Sequence, residues 1–230
     1  MNKSSVEIPK EETVAIILAG GTARRLADKR PRGGKAECII GGQSLLGIVY
    51  GALVPVTRSI LVVGGDPPKL SFQDVVSVRH IPDHQPGSGP LAAVRDGLRW
   101  MWYEYAKSLP QFVILSACDL PSITSSLVSK MVDHFPQDET CTQWVIPEVG
   151  KRLQYLFSVC RPTILQPLDS FFAAGGRDFR SFVQYLQKHE SRSIHVISEA
   201  TWREIDPHAH AGSDIDTPAD LAVYTDDASH

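Results

Sequence analysis

Leu18-Ala19-Gly20-Gly21 closes a continuous apolar run, and Arg24, Arg25 and Lys35 follow it. Glycines after a strand let backbone approach a ligand closely, so that their N–H groups face phosphate oxygens. Nearby arginine and lysine neutralise a polyphosphate. A lone glycine pair is more often an ordinary strand-to-helix turn with a solvated basic surface. The stretch is neither GxxxxGK(S/T) nor GxGxxG, so the P-loop and dinucleotide fingerprints are both absent.

Three carboxylate groupings stand further along. Asp119, in SACDLP, follows a strand that carries no other charge, and Pro121 turns the chain after it. A carboxylate at such an edge suits Mg²⁺, a hard cation that prefers oxygen ligands, and equally a turn or cap. Asp83 ends another strand in PDHQPGSGPLAA, where Gly87 and Gly89 loosen the loop before a helix. Asp214-Ile215-Asp216-Thr217-Pro218 either adds a carboxylate to a metal site or caps the last helix, and the cap is the simpler reading.

Other residue types offer less. His208 and His210 are explained by a polar loop, and His80, His84 and His195 by surface or strand-end positions. Ser88 and the four cysteines, Cys38, Cys118, Cys141 and Cys160, lack a nucleophile-elbow context. No CxxC pair is present, and reduced, partly buried thiols are expected. Trp100, Trp102, Tyr103 and Tyr105 share one helix and are read as packing. Covalent catalysis is unsupported.

The elements that position these groups alternate. Apolar runs at Val14–Gly21, Ser59–Gly64, Val75–Ile81 and Gln111–Ala117 read as buried strands. Helical spacing at Ser44–Val54, Leu91–Leu109 and Thr124–Phe135 falls between or after them. The remainder is mixed: strand-like Trp144–Pro147, Tyr155–Val159 and Ser193–Ile197, helices near Ile164–Ala174 and Phe179–His189, and a short last helix from Thr217-Pro218. This is the pattern of an α/β fold with a mostly parallel sheet flanked by helices. In such sheets ligands bind beyond the carboxyl ends of the strands.

The whole chain is 230 residues, with 43% hydrophobic and 21% charged residues. That is the composition of one soluble domain. The reading is a polar leader over residues 1–13, a domain over 14–224 and a tail over 225–230. A net charge of −3 provides no global field for nucleic acid or an anionic membrane. With no secretory h-region and no membrane-length apolar run, a soluble cytoplasmic protein is expected.

In this order, the motifs resemble those of the molybdenum cofactor guanylyltransferase family, whose broader relatives are nucleotidyltransferases with a Rossmann-like sheet. LAGGTARRL looks like the family's LAGG-x-x-x-R-M opening, with Leu18, Ala19, Gly20, Gly21 and Arg25 in register. Lys35 precedes Gly42 as the family's lysine precedes its own glycine. DHQPGSGPLAA resembles D-x-x-x-G-x-G-P-L-A-G, CDLP matches C-D-x-P, and DIDTPADL resembles N-x-N-T-P-E-D-L. The similarity spans Val14 to Tyr224.

The departures are specific. About four extra residues separate Arg25 from Lys35, Gly34 replaces the aspartate that commonly precedes the lysine, and Asp28-Lys29 offers a competing match. Gly64-Gly65 stands where guanylyltransferases often place an asparagine. Asp216 replaces the closing motif's second asparagine, as is more usual in cytidylyltransferase relatives.

The resemblance implies a single-domain Rossmann-like nucleotidyltransferase fold. It implies transfer of GMP from GTP to the terminal phosphate of molybdopterin cofactor, with release of pyrophosphate. Asp119 would hold Mg²⁺; Lys35 and Arg25 would stabilise charge on the transferring group and the departing pyrophosphate. Leu18, Ala19, Gly20, Gly21 and Asp83 would contact the nucleotide, and the acceptor would enter near Asp214–Thr217. The implied partners are GTP, molybdopterin and, transiently, molybdoenzyme maturation proteins, without nucleic acid or membrane. Two alternatives stay open: a cytidylyl- or other nucleotidyltransferase acting on molybdopterin or a phosphorylated small molecule, and a non-catalytic nucleotide- or cofactor-binding carrier.

Overall fold

The computed structural model describes residues 10–20, 34–67, 76–84, 87–135, 142–189 and 193–207, with Asp214, Ile215, Thr217, Asp220 and Tyr224. The strands are β1 (Thr13–Leu18), β2 (Ile39–Ile40), β3 (Gln43–Ser44), β4 (Ser59–Val63), β5 (Ser77–Ile81), β6 (Phe112–Ala117), β7 (Trp144–Val149), β8 (Arg152–Leu153), β9 (Phe157–Cys160) and β10 (Ile194–Ile197). The helices are α1 (Leu45–Leu53), α2 (Pro90–Glu104), α3 (Ser125–Asp133), α4 (Leu165–Ala173), α5 (Phe179–His189) and α6 (Glu199–Ile205).

One sheet carries the fold, in the order β10-β7-β9-β6-β1-β4-β5, with β8 paired to β7 off that path. Pairings β1–β4, β1–β6, β4–β5 and β7–β10 are parallel, while β9 runs against both its neighbours, β6 and β7. The expected mostly parallel α/β sheet is therefore present.

The central strand shows why. Every residue of β1 is buried, and its alternate side chains serve two cores. Ala15 and Ile17 join Leu46, Val49 and Leu53 of α1, Val128 and Met131 of α3, and Trp202 of α6. Val14, Ile16 and Leu18 face Leu91, Val94 and Leu98 of α2 together with residues of α4 and α5. A strand apolar on both faces needs helices on both. Burying each such side chain contributes roughly 1.5–3 kcal/mol, so β1 anchors both layers.

Local signals set several boundaries. Ser44 Oγ accepts the Gly47 N–H and starts α1, and Thr124 Oγ1 accepts the Leu127 N–H and starts α3. The last capping expectation also holds among the described residues: Asp220 donates its N–H to Thr217 Oγ1 and accepts from the Thr217 N–H and hydroxyl. The helix expected to reach Leu109 ends at Glu104, and residues 105–107 form a turn whose Tyr105 N–H still bonds Met101 O.

Beside the short β8, helix α6 and the β2–β3 hairpin lie outside the sequence expectations. Helix α6 begins at a Ser198 cap, whose Oγ accepts the Thr201 N–H, and buries Trp202 completely. The Ser198-Glu199 pair was a usable start signal. The β2–β3 hairpin turns through Gly41 and Gly42, both at positive φ. Among the described residues, no helix is long and apolar enough to cross a membrane.

Candidate active site

Register brings the conspicuous residues to one edge. Leu18 pairs with Val63 of β4 and Ala117 of β6, and Val63 pairs with Ile81 of β5. One row of the parallel sheet thus ends at Leu18, Val63, Ile81 and Ala117. Two residues further along lie Gly20, Gly65, Asp83 and Asp119, at a common level beyond the carboxyl ends. The chain moves outward from β1 to β4 and β5, then returns to β6 on the other side of β1. The crevice between β1 and β6 is therefore a topological switch point, where open α/β sheets bind ligands.

Asp119 sits at this switch point. Cys118 N–H bonds Leu18 O at 3.0 Å, tying the β6 exit to the β1 exit, and Asp119 O accepts the Ile215 N–H at 3.1 Å. Ile215 is fully buried with Cys38, Ile40 and Leu45. Ser122 and Tyr224 hydroxyls meet at 2.9 Å. The C-terminal segment thus straps down the turn that carries the carboxylate.

Lys35 arrives from a different direction. Gly34, at φ 81°, opens a one-turn 3₁₀ helix over Lys35–Glu37. That turn buries Lys35 and passes its carbonyl to Cys38 N–H. The Lys35 ammonium is ion-paired to Asp119 Oδ2, with side-chain exposures of only 9% and 13%. Asp119 Oδ1 is buried and has no hydrogen-bond partner among the described residues. A buried charge pair with one orphaned oxygen is costly unless something occupies that oxygen.

The β1 and β4 exits are in tight contact. Gly64 and Gly65 both have positive φ, 76° and 66°. A Cβ on Gly64 would stand 3.0 Å from Gly20 Cα, and one on Gly65 2.8 Å from Ala19 O. Ala19 N–H bonds Val63 O, and Gly64 N–H bonds Ile81 O, both at 2.9 Å. The glycine pair, a departure in sequence, is what this closeness requires. The Oδ2 of Asp83 lies 3.9 Å from where a Gly20 Cβ would be, so its carboxylate borders the same loop.

Leu18, Ala19, Gly20, Lys35, Asp83 and Asp119 therefore gather at one edge of the sheet. Gly21, Arg25, the alternative Lys29, and Asp216 lie outside the described residues. Asp214 and Thr217 are described, and Thr217 acts as a cap. His80, read from sequence as an ordinary strand-end residue, places Nε2 3.3 Å from Gly64 O and 3.1 Å from Gly65 O; no local sequence signal marks that role.

Cys118, beside Asp119, is not a nucleophile. Burial, then the adjacent Asp119 charge, push its thiol up to about 12. Cys38 is pushed up by burial as well. With Cys160 these are free, buried thiols, as the sequence suggested. A buried oxygen acid, a paired lysine and backbone at close approach are equipped to position phosphates, not to form a covalent intermediate.

The MobA-like NTP transferase domain matches residues 15–192. A Mycobacterium avium protein named "Probable molybdenum cofactor guanylyltransferase" is 31% identical over 201 residues, covering 84% of this chain and 95% of the relative. A Chloroflexus aggregans protein of the same name is 29% identical over 214 residues, covering 90% and 91%. Among solved structures, molybdopterin-guanine dinucleotide biosynthesis protein A from Archaeoglobus fulgidus superposes with a TM-score of 0.69 at 18% identity, covering 94% of this chain and 98% of that one. The 2-C-methyl-D-erythritol 4-phosphate cytidylyltransferase of Thermus thermophilus superposes at 0.64 with 17% identity, covering 96% and 100%, a likeness of fold. With its switch-point carboxylate, close-packed glycine exits and a family match spanning most of its length, this chain belongs to the MobA-like NTP transferase family.

Proposed function

We propose that the protein transfers GMP from GTP to the terminal phosphate of molybdopterin cofactor and releases pyrophosphate. An oxygen of the acceptor phosphate attacks the α-phosphorus of GTP in line. The bond from that phosphorus to the bridging oxygen breaks, and pyrophosphate leaves with the electron pair. The names of relatives alike over nearly their whole length support the substrates.

The observation that carries the reading is the buried Lys35–Asp119 pair with its unpartnered Oδ1. The donor fits Mg²⁺, a hard cation that proteins commonly bind through one or two carboxylates plus substrate phosphates. No group of three or more His, Cys, Asp or Glu able to hold a metal exists among the described residues, which agrees with a site completed by substrate. When bound, Mg²⁺ would neutralise triphosphate charge. Lys35 holds Oδ2 and so orients the carboxylate. The Ala19–Gly20 backbone and Asp83 border the nucleotide, and Arg25 is assigned to the transferring group.

The deciding experiment is thermal stability against GTP, CTP, UTP and ATP, with and without Mg²⁺, followed by pyrophosphate release with acceptor. Ligand at 100 times its Kd adds about 2.7 kcal/mol, or roughly 5–10 °C for a domain of this size. A Mg²⁺-dependent shift with GTP alone supports the proposal. A shift with CTP or UTP instead supports the second reading, a different nucleotide donor. That reading is favoured by Gly64-Gly65, which presents no side chain to a base.

A further inference from the structure

We infer that His80 is a positioning residue for nucleotide binding: its imidazole holds the Gly64–Gly65 turn so that the turn's free amides face the ligand crevice. The inference rests on the nucleotide-transfer reading above. His80 lies on β5 in register with Val62 of β4, so its side chain flanks the exit of β4. Its Nε2 is within 3.3 Å of Gly64 O and 3.1 Å of Gly65 O. Carbonyl oxygens only accept, so Nε2 carries a proton and donates to both.

A trans peptide sets C=O and N–H on opposite sides, and no cis peptide occurs among the described residues. Fixing the Gly64 and Gly65 carbonyls on the imidazole therefore turns the Gly65 and Asp66 amides away from it. Neither amide has a hydrogen-bond partner among the described residues. The Gly65 nitrogen lies 4.0 Å from where a Gly20 Cβ would stand, beside the Ala19–Gly20 backbone. Two consecutive left-handed glycines have several accessible conformations, and the shared donor selects one of them. The turn cannot shift toward β1 either, because Ala19 O occupies the space a Gly65 Cβ would need.

The test compares His80→Phe, which keeps a ring without the donor, with His80→Gln, which keeps an amide donor. Wild type and variants are assayed for Kd of GTP with Mg²⁺ by calorimetry, and for KM and kcat with saturating acceptor. Expected are a GTP Kd and KM raised about three- to tenfold in His80→Phe, the worth of one or two neutral hydrogen bonds. The kcat should stay within about twofold, and His80→Gln should recover most of the affinity. Equal GTP affinity in wild type and folded His80→Phe overturns the inference, since ring shape alone then suffices, as does equal weakening in both variants, since a retained donor then restores nothing. A wild-type protein that binds no nucleoside triphosphate overturns the transfer reading itself, and this inference with it.

Discussion

The ammonium of Lys35 is paired with Asp119 Oδ2 in a nearly solvent-free contact, while Asp119 Oδ1 has no hydrogen-bond partner among the described residues. The pair joins a one-turn helix before α1 to the exit of β6. Lys35 thereby positions the acid that is proposed to meet the metal.

Removing the carboxylate tests its chemical role. Asp119→Asn keeps the shape but loses the charge, and turnover should fall roughly 10³-fold, the rate equivalent of several kcal/mol. The Mg²⁺-dependent part of the nucleotide thermal shift should vanish with it. A folded Asp119→Asn protein with full activity would remove the metal assignment.

The pair also has a stability signature. Lys35→Met leaves Asp119 buried and uncompensated, which should cost about 3–5 kcal/mol in urea unfolding. Adding Asp119→Leu should restore most of that loss, because the uncompensated charge is gone. Lys29→Ala should leave both stability and turnover nearly unchanged. Greater damage from Lys29→Ala than from Lys35→Ala would transfer the lysine role to Lys29.

The glycines separate two kinds of strain. Gly65→Ala meets both a positive φ and Ala19 O at 2.8 Å, so it should weaken nucleotide binding at least tenfold as the β1 exit is displaced. Gly87→Ala meets a positive φ with nothing within 4 Å among the described residues. It should cost only about 1 kcal/mol of backbone strain. Equal effects in calorimetry would argue against the close approach.

The strap over Asp119 is separable from the chemistry. Ile215→Ala should lower stability by about 2–5 kcal/mol by opening a cavity beside Cys38, Ile40 and Leu45. Turnover should fall as well, since the Asp119 carbonyl loses a fixed partner. Unaltered kinetics in a destabilised variant would confine the strap to a structural part.

Alkaline pH should expose the buried thiols. Cys118 has its thiol raised from 9.0 to about 12, so above pH 9 the unfolded chain releases a proton that the folded one keeps. This contribution is fully present below pH 9 and is lost as pH rises toward 12. Cys118→Ala should flatten the fall of stability across that window. Native protein at pH 8 should resist iodoacetamide at Cys38 and Cys118, and urea should release both.

The α/β class, the strands of the parallel core, the Thr217 cap and the carboxylates that end β5 and β6 were legible in the sequence, and so were the helices that Ser44 and Thr124 prove to cap. These are written in local patterns: apolar runs that need cover on both faces, and side chains that bond N–H groups three residues on. Helix α6 was legible in the same way, from Ser198 and Glu199, but its brevity hid it. Strand order and register, by contrast, are what bring Lys35 to Asp119, pack Gly64-Gly65 on Ala19-Gly20, bond Ile215 N–H to the Asp119 carbonyl and set His80 Nε2 against the Gly64 and Gly65 carbonyls. Each joins residues far apart in the chain whose meeting depends on strand order and register. No local propensity encodes such a meeting, because the energy that fixes it comes from burial of the whole sheet.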